Sequence, residues 1–532
     1  MFLAFPSFQQ RQFFSSLARK TQYCFALVCF FLFCLTTVVS NNETQTDELR
    51  KQAERAMRNG DFAAAETLWQ EILRAEPKNI QYRLALSYTY YKQRKLVESF
   101  EEAMRVAEKD QQNARVRSII GAVYLAAGRF SEARDVLKAA LILAPDEPLA
   151  LANSALLDFY ENRAMEGLPK LRRAAYLEPN EPDFVFAQAQ LASRTENYKE
   201  AADAYTKFLR IAPATDVERR ERIEGLIKFL RYLGGIKSLY NVSGERETTV
   251  ECQIINNRPV IEVHLNENKE TLRFVLDTGS GMTVISDETA QRLRIKQIVR
   301  GGMARAVGGG GKFQIVYGFV DSLKIGDTQI QKIPVYIRPF HSAGDKFDGY
   351  IGLSVISKFI TTLDYGNKTF SLVRNIDYKK NNIKPELQTS MKDNSTLTVP
   401  LRTTSSGFLS SEAKIEGVKE PLNFILDTGA SVSVVSAEAA RHAEINRFTQ
   451  SSMLKIYGAA GITENVSTLL LPRLTFGQIS RENVMAAVLD LASINETAGF
   501  EQSGILGGNF LLYYRLTLNF QNSTVTFNPI NK

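Results

Sequence analysis

Two aspartates stand out for their setting. Asp277 closes the apolar run in "FVLDTGSGMTVIS" (Phe274 to Ser286), and Asp427 closes the one in "FILDTGASVSVVS" (Phe424 to Ser436), 150 positions later. Each places an ionisable side chain, a threonine and a glycine where a buried strand would otherwise continue. An aspartate before Thr-Gly can simply cap a β-turn. A carboxyl can also take up or release a proton, and two held side by side cannot both ionise, so they share one. Such a pair does acid and base work that a single aspartate cannot.

The surroundings of the two aspartates are copies of each other. Laying Phe274 on Phe424 aligns Leu276 with Leu426, and it brings Val284, Ser286, Glu288 and Ala290 onto Val434, Ser436, Glu438 and Ala440. Both copies then reach a glycine-rich patch, Gly308, Gly309, Gly310 and Gly311 in one and Gly458 to Gly461 in the other. Further on, "LKIG" at Leu323 answers "LTFG" at Leu474, "DGYIG" (Asp348 to Gly352) answers "SGILG" (Ser503 to Gly507), and "LDYGNKT" answers "LNFQNST". The duplication therefore spans a whole domain.

Each copy resembles the retropepsin-like lobe of the aspartic proteases. The shared pattern is two hydrophobic residues, Asp-Thr-Gly-Ser/Ala, a glycine-bearing flap hairpin and a late hydrophobic–hydrophobic–Gly. That resemblance implies peptide-bond hydrolysis with a water activated by an aspartate dyad and no cofactor or metal. It makes Asp277 and Asp427 the catalytic candidates. Thr278 and Thr428 would lock the two loops by reciprocal hydrogen bonds, while Gly279 and Gly429 let backbone approach the carboxylates. Ser280 would bond the outer carboxylate oxygen, which Ala430 cannot do. Gly308, Gly309, Gly310, Gly311, Gly458 and Gly461 would belong to the flaps, and Gly352 and Gly507 would back the active loops. One lobe supplies one aspartate, so a site needs two lobes. They could pair within one chain, giving a monomer, or between chains in a homodimer. An alternative function is a non-catalytic scaffold whose lobes grip an extended peptide without cutting it.

The elements that must carry this chemistry are all-β. From Thr248 onward, short runs rich in Val, Ile, Thr, Phe and Tyr alternate with Gly, Asn and Asp turns. The expected lobes cover 245–376 and 397–530, joined by a polar linker at 377–396. "GGGGKF" is not a phosphate loop: no glycine stands five residues before Gly311, and Phe313 occupies the position that needs Ser or Thr.

Residues 41–236 read differently. They are rich in Ala, Leu, Glu and Arg at helical spacing. "ILRAEP", "ALILAP", "AAYLEP" and "FLRIAP" end at Pro77, Pro145, Pro179 and Pro213, at intervals of 68, 34 and 34. "NGDFAAA", "AGRFSEA" and "TENYKEA" keep the same phase. This period resembles the tetratricopeptide repeat, which implies five helix pairs, a capping helix near Val217–Leu233 and a surface for a protein partner. Trp69 falls at a helix-packing position of the first repeat. The expected whole is multidomain, an all-α solenoid followed by two all-β lobes.

The first forty residues describe an export signal or signal anchor. Arg11, Arg19 and Lys20 precede the apolar "YCFALVCFFLFCLTTVV", and Val38 and Ser40 are small. The body is then expected outside the cytoplasm, periplasmic or secreted, and tethered to the membrane only if this segment stays uncleaved. The net charge of +7 loses three positive charges with that segment, and no basic block argues for nucleic acid. Cys24, Cys29 and Cys34 lie in the segment, which leaves Cys252 alone and no internal disulfide. Three scattered histidines make a His/Cys metal site a poor expectation.

Overall fold

Proline and glycine punctuation sets the helix boundaries. In the computed structural model, which describes residues 45–306, 312–341, 344–374 and 397–530, helices end at Ala75, Leu143, Leu177 and Ile211, two residues before each periodic proline. Gly60 and Gly128 turn the chain at φ of +74° and +75°, before the helices that begin at Phe62 and Phe130. The signal segment, the linker at 377–396 and Gly308, Gly309, Gly310 and Gly311 lie outside the described residues. Among those described, no helix is long and apolar enough to cross a membrane.

The described residues form two compact units, 45–111 with 213–215, and 112–212 with those from 216 to 530. The first contains helices at 45–59, Phe62–Ala75, Ile80–Lys92 and Leu96–Ala107. Ala53 and Ala65 are fully buried, so the first two helices approach closely, and Trp69 stacks on Tyr82 at 6.0 Å. The next pair is tied by Ser87 and Ser99, each hydroxyl donating to the other's carbonyl at 2.7 and 2.8 Å.

The second unit contains the helices Ala114–Ala126, Phe130–Leu143, Pro148–Tyr160, Ala164–Leu177, Pro182–Arg194, Tyr198–Ile211 and Val217–Leu233, followed by the β region. Three sheets make up that region among the described residues. One belongs to the first lobe, one to the second, and a six-stranded sheet runs beneath both. At the middle of the shared sheet, Phe359–Asp364 of the first lobe pairs antiparallel with Tyr514–Asn519 of the second. Thr362 and Thr517 face each other there with hydroxyls 3.1 Å apart. One apolar core, including Phe274, Phe359, Phe424 and Phe527, continues through both lobes. Burying each such side chain contributes roughly 1.5–3 kcal/mol, and the two lobes are thereby held as one body.

Candidate active site

Both aspartates follow strands buried on both faces, Leu272–Leu276 and Leu422–Leu426. Each strand pairs in parallel with a short partner from later in its lobe, Leu276 opposite Ile351 and Leu426 opposite Leu506. That pairing ends at the same atom in both lobes. Asp277 N–H donates to Ile351 O and Asp427 N–H to Leu506 O, each at 3.0 Å. The chain then turns out of the sheet with its carboxyl in the cleft.

The threonines fix one loop to the other. Thr278 N–H donates to Thr428 Oγ1 at 3.1 Å, and Thr428 N–H donates to Thr278 Oγ1 at 3.0 Å. Their hydroxyls reach across in turn, Thr278 to Leu426 O and Thr428 to Leu276 O, both at 2.7 Å. Both threonines are almost wholly buried, so all four bonds form away from competing water. The glycines explain why no larger residue fits. A Cβ on Gly279 would lie 2.3 Å from Asp427 Cγ, and one on Gly429 would lie 2.5 Å from Asp277 Oδ1.

The two carboxyls of the chain adjoin, each lying against the glycine of the other lobe's loop, and each acts electrostatically on the other. Burial, then repulsion from Asp427, pushes Asp277 well above the usual carboxyl range. Burial also raises Asp427, against the pull of the Gly429, Ala430 and Gly279 amides and of Asp277. Gly279 N–H donates to Asp277 Oδ1 at 2.9 Å, while Asp427 Oδ1 receives Gly429 N–H at 2.8 Å and Ala430 N–H at 3.1 Å. Asp427 thus receives one more backbone amide than Asp277, and the two carboxyls titrate as a coupled pair.

The Ser280 expectation is corrected. Its hydroxyl donates to Met282 O at 2.8 Å, within its own loop, rather than to the outer oxygen of Asp277. The lobes do differ here, but the backbone makes the difference, because Ala430 N–H reaches a carboxylate and Ser280 N–H bonds Asp277 O at 3.4 Å. Gly352 and Gly507 sit against the active loops. Their Cβ atoms would meet Met282 O and Val432 O at 2.5 Å, and the residues after them bond Ser280 O and Ala430 O at 2.8 and 2.7 Å.

The second flap is a hairpin of Thr449–Gly458 and Gly461–Phe476, closed by Ala459 and Ala460, with Gly461 at φ +133°. The first flap is built from Lys296–Arg305 and Lys312–Ile325. A feature absent from the sequence reading is the partner of that hairpin. The helix Val217–Leu233 lies on it so closely that a Cβ on Gly225 would meet Gly301 Cα at 2.2 Å, and one on Gly302 would meet Glu221 O at 2.1 Å. Phe229 stacks on Tyr317 at 4.4 Å, and Tyr232 meets Phe319 edge-on at 5.7 Å. Isolated glycines inside a helix and a strand were the available signal.

Arg338 and Tyr350 were also missed. Both are half-buried; the Arg338 charge lowers the Asp277 pKa, and Asp277 in turn raises that of Tyr350. Arg338 ends its strand in a sequence, "YIRPF", that carries no motif.

An aspartyl protease family model matches residues 261–355 and 411–510, and a tetratricopeptide repeat model matches 50–114 and 97–148. No curated protein matches the chain. Among solved structures, an aspartic proteinase from Irpex lacteus is 14% identical over 54% of this chain and 98% of its own, with a TM-score of 0.36. A thermophilic TPR protein from Thermus thermophilus is 20% identical over 34% of this chain and 97% of its own, with a TM-score of 0.29. Likenesses this distant carry no functional argument.

Proposed function

We propose that this chain, which joins tetratricopeptide repeats to an aspartyl protease domain matched in two segments, is an aspartic endopeptidase. The observation that carries the reading is the pair of adjoining carboxyls over a reciprocal threonine lock. The ionised carboxylate takes a proton from a water as its oxygen attacks the peptide carbonyl carbon. The protonated partner gives its proton to the carbonyl oxygen, leaving a neutral diol. The proton held by the first carboxyl then passes to the amide nitrogen, the C–N bond breaks, and a diol hydroxyl returns its proton to the dyad. Water excluded by the flaps strengthens each of these interactions.

The repeats would hold a protein partner or present a protein substrate, and the N-terminal segment would direct export. Fractionation of cells making the full chain tests export. For activity, the protein is incubated with a denatured protein mixture between about pH 3 and 7, around the carboxyl range, with and without a statine-type inhibitor. Cleavage that the inhibitor blocks supports the endopeptidase. Peptide binding without cleavage supports the scaffold alternative.

A further inference from the structure

The strand Thr328–Arg338 of the first lobe and the strand Ile479–Leu489 of the second occupy the same place. Ser286 stands opposite Arg338, and Ser436 stands opposite Leu489. The duplication therefore puts an arginine at the register position where the second lobe has a buried leucine.

The Arg338 guanidinium has no carboxylate partner among the described residues, and both its hydrogen bonds leave Nη1, to Pro339 O at 3.1 Å and to Ala459 O at 3.2 Å. Ala459 is in the turn of the second lobe's flap, so Arg338 lies under that flap and within electrostatic reach of Asp277. Three rings surround it, with centroids at 5.6 Å (Phe313), 5.0 Å (Phe340) and 5.8 Å (Tyr350). Phe313 belongs to the first flap's own strand. Nε and Nη2 have no acceptor among the described residues, and neither is sealed from solvent.

A half-buried charge has given up part of its hydration, and a partner of opposite charge compensates that cost. Ring faces recover only part of it. A fork of unused, solvent-accessible donors in a ring-lined, half-buried site is suited to a carboxylate, which guanidinium binds through parallel hydrogen bonds. We propose that Arg338 selects substrates with an acidic side chain on the first-lobe side of the cleft, while the second lobe, with a buried leucine at the matching position, offers no such charge. The inference rests on the endopeptidase reading for its substrate, a peptide.

The test uses matched fluorogenic peptides that differ only by Glu or Gln at each position flanking the cleaved bond. At one position the wild-type kcat/KM for Glu exceeds that for Gln by about 10- to 100-fold, as a charge-assisted pair provides. Arg338→Leu, which copies the second lobe, brings that ratio close to one, and Arg338→Lys retains part of it. The preference also fades below about pH 4, where the substrate carboxyl protonates. Cleavage with no Glu preference at any position overturns the inference and leaves the endopeptidase standing. If no peptide is cleaved, binding of the same pairs is read by fluorescence anisotropy. A Glu preference in affinity that Arg338→Leu abolishes then keeps the recognition and refutes the protease; equal affinities refute both.

Discussion

The first flap hairpin carries a helix on its back, with Gly225 against Gly301 and Phe229 stacked on Tyr317, whereas the second exposes Met453, Tyr457 and Ile462. Beneath these two roofs, the floors are nearly identical. The threonine lock and the backing glycines repeat bond for bond, and the two carboxyls differ by the one extra amide, Ala430 N–H, on Asp427. The difference teaches where duplication tolerates divergence. A lock that satisfies four buried hydrogen bonds at once has no alternative geometry, so both copies keep it. A flap has an outer face that any partner can cover, and one copy has acquired a helix from the repeat region. The two hairpins then differ in support, the first packed against a helix and the second held at its turn by Arg338.

Breaking the floor has the largest effect. Thr428→Val removes the hydroxyl that donates to Leu276 O and accepts from Thr278 N–H, leaving two buried groups unpaired at about 1–3 kcal/mol each. Denaturant unfolding should register that loss, and misaligned carboxyls lower kcat by on the order of a hundredfold. Thr278→Val should match it closely. A large disparity between the two would show that the floors are not equivalent.

Next comes the helix on the first flap. Gly225→Leu forces the backbones apart and costs about 1–3 kcal/mol, the usual range for overpacking. Hydrogen exchange then rises along Lys296–Arg305 and not along Thr449–Gly458. Equal exchange in the two wild-type hairpins would contradict the asymmetry.

The dyad gives a pH signature of smaller size. Both carboxyls are raised, mainly by burial, so the native state holds protons that the unfolded chain has already released. Stability contributed by the pair therefore falls as pH rises above the ordinary carboxyl value of about 4. Asp277→Asn removes one ionisable partner, and its Tm at neutral pH should exceed that of wild type by roughly a few degrees. The gap closes below about pH 4. A gap that widens on acidification would mean the carboxyls are stabilised as charges. The smallest effect belongs to the open roof, where Met453→Ser should alter stability by less than about 0.5 kcal/mol.

Much of the floor was legible because its causes are local. Asp-Thr-Gly after a buried apolar strand, repeated with Gly352 and Gly507 at matching distance, fixes which loops must meet. The periodic prolines likewise mark helix ends that depend on neighbouring residues alone. The Ser280 hydroxyl bonds Met282 O because of the loop's geometry, which residue type alone does not reveal. The helix–flap contact and Arg338 depend on segments far apart in sequence, where a glycine or an arginine has many ordinary uses. Cys252 is an intermediate case: its solitude was visible, but only its burial, which pushes the thiol up to about 12, makes it inert.

The central claim is that one chain supplies both carboxyls of one dyad, and the most direct measurement is cleavage by Asp277→Asn, by Asp427→Asn and by their equimolar mixture. A single-chain dyad predicts that each variant loses activity by about a thousandfold or more, as removal of an acid–base group does, and that the mixture stays equally silent. Substantial activity in either variant alone, or recovery on mixing, would contradict it.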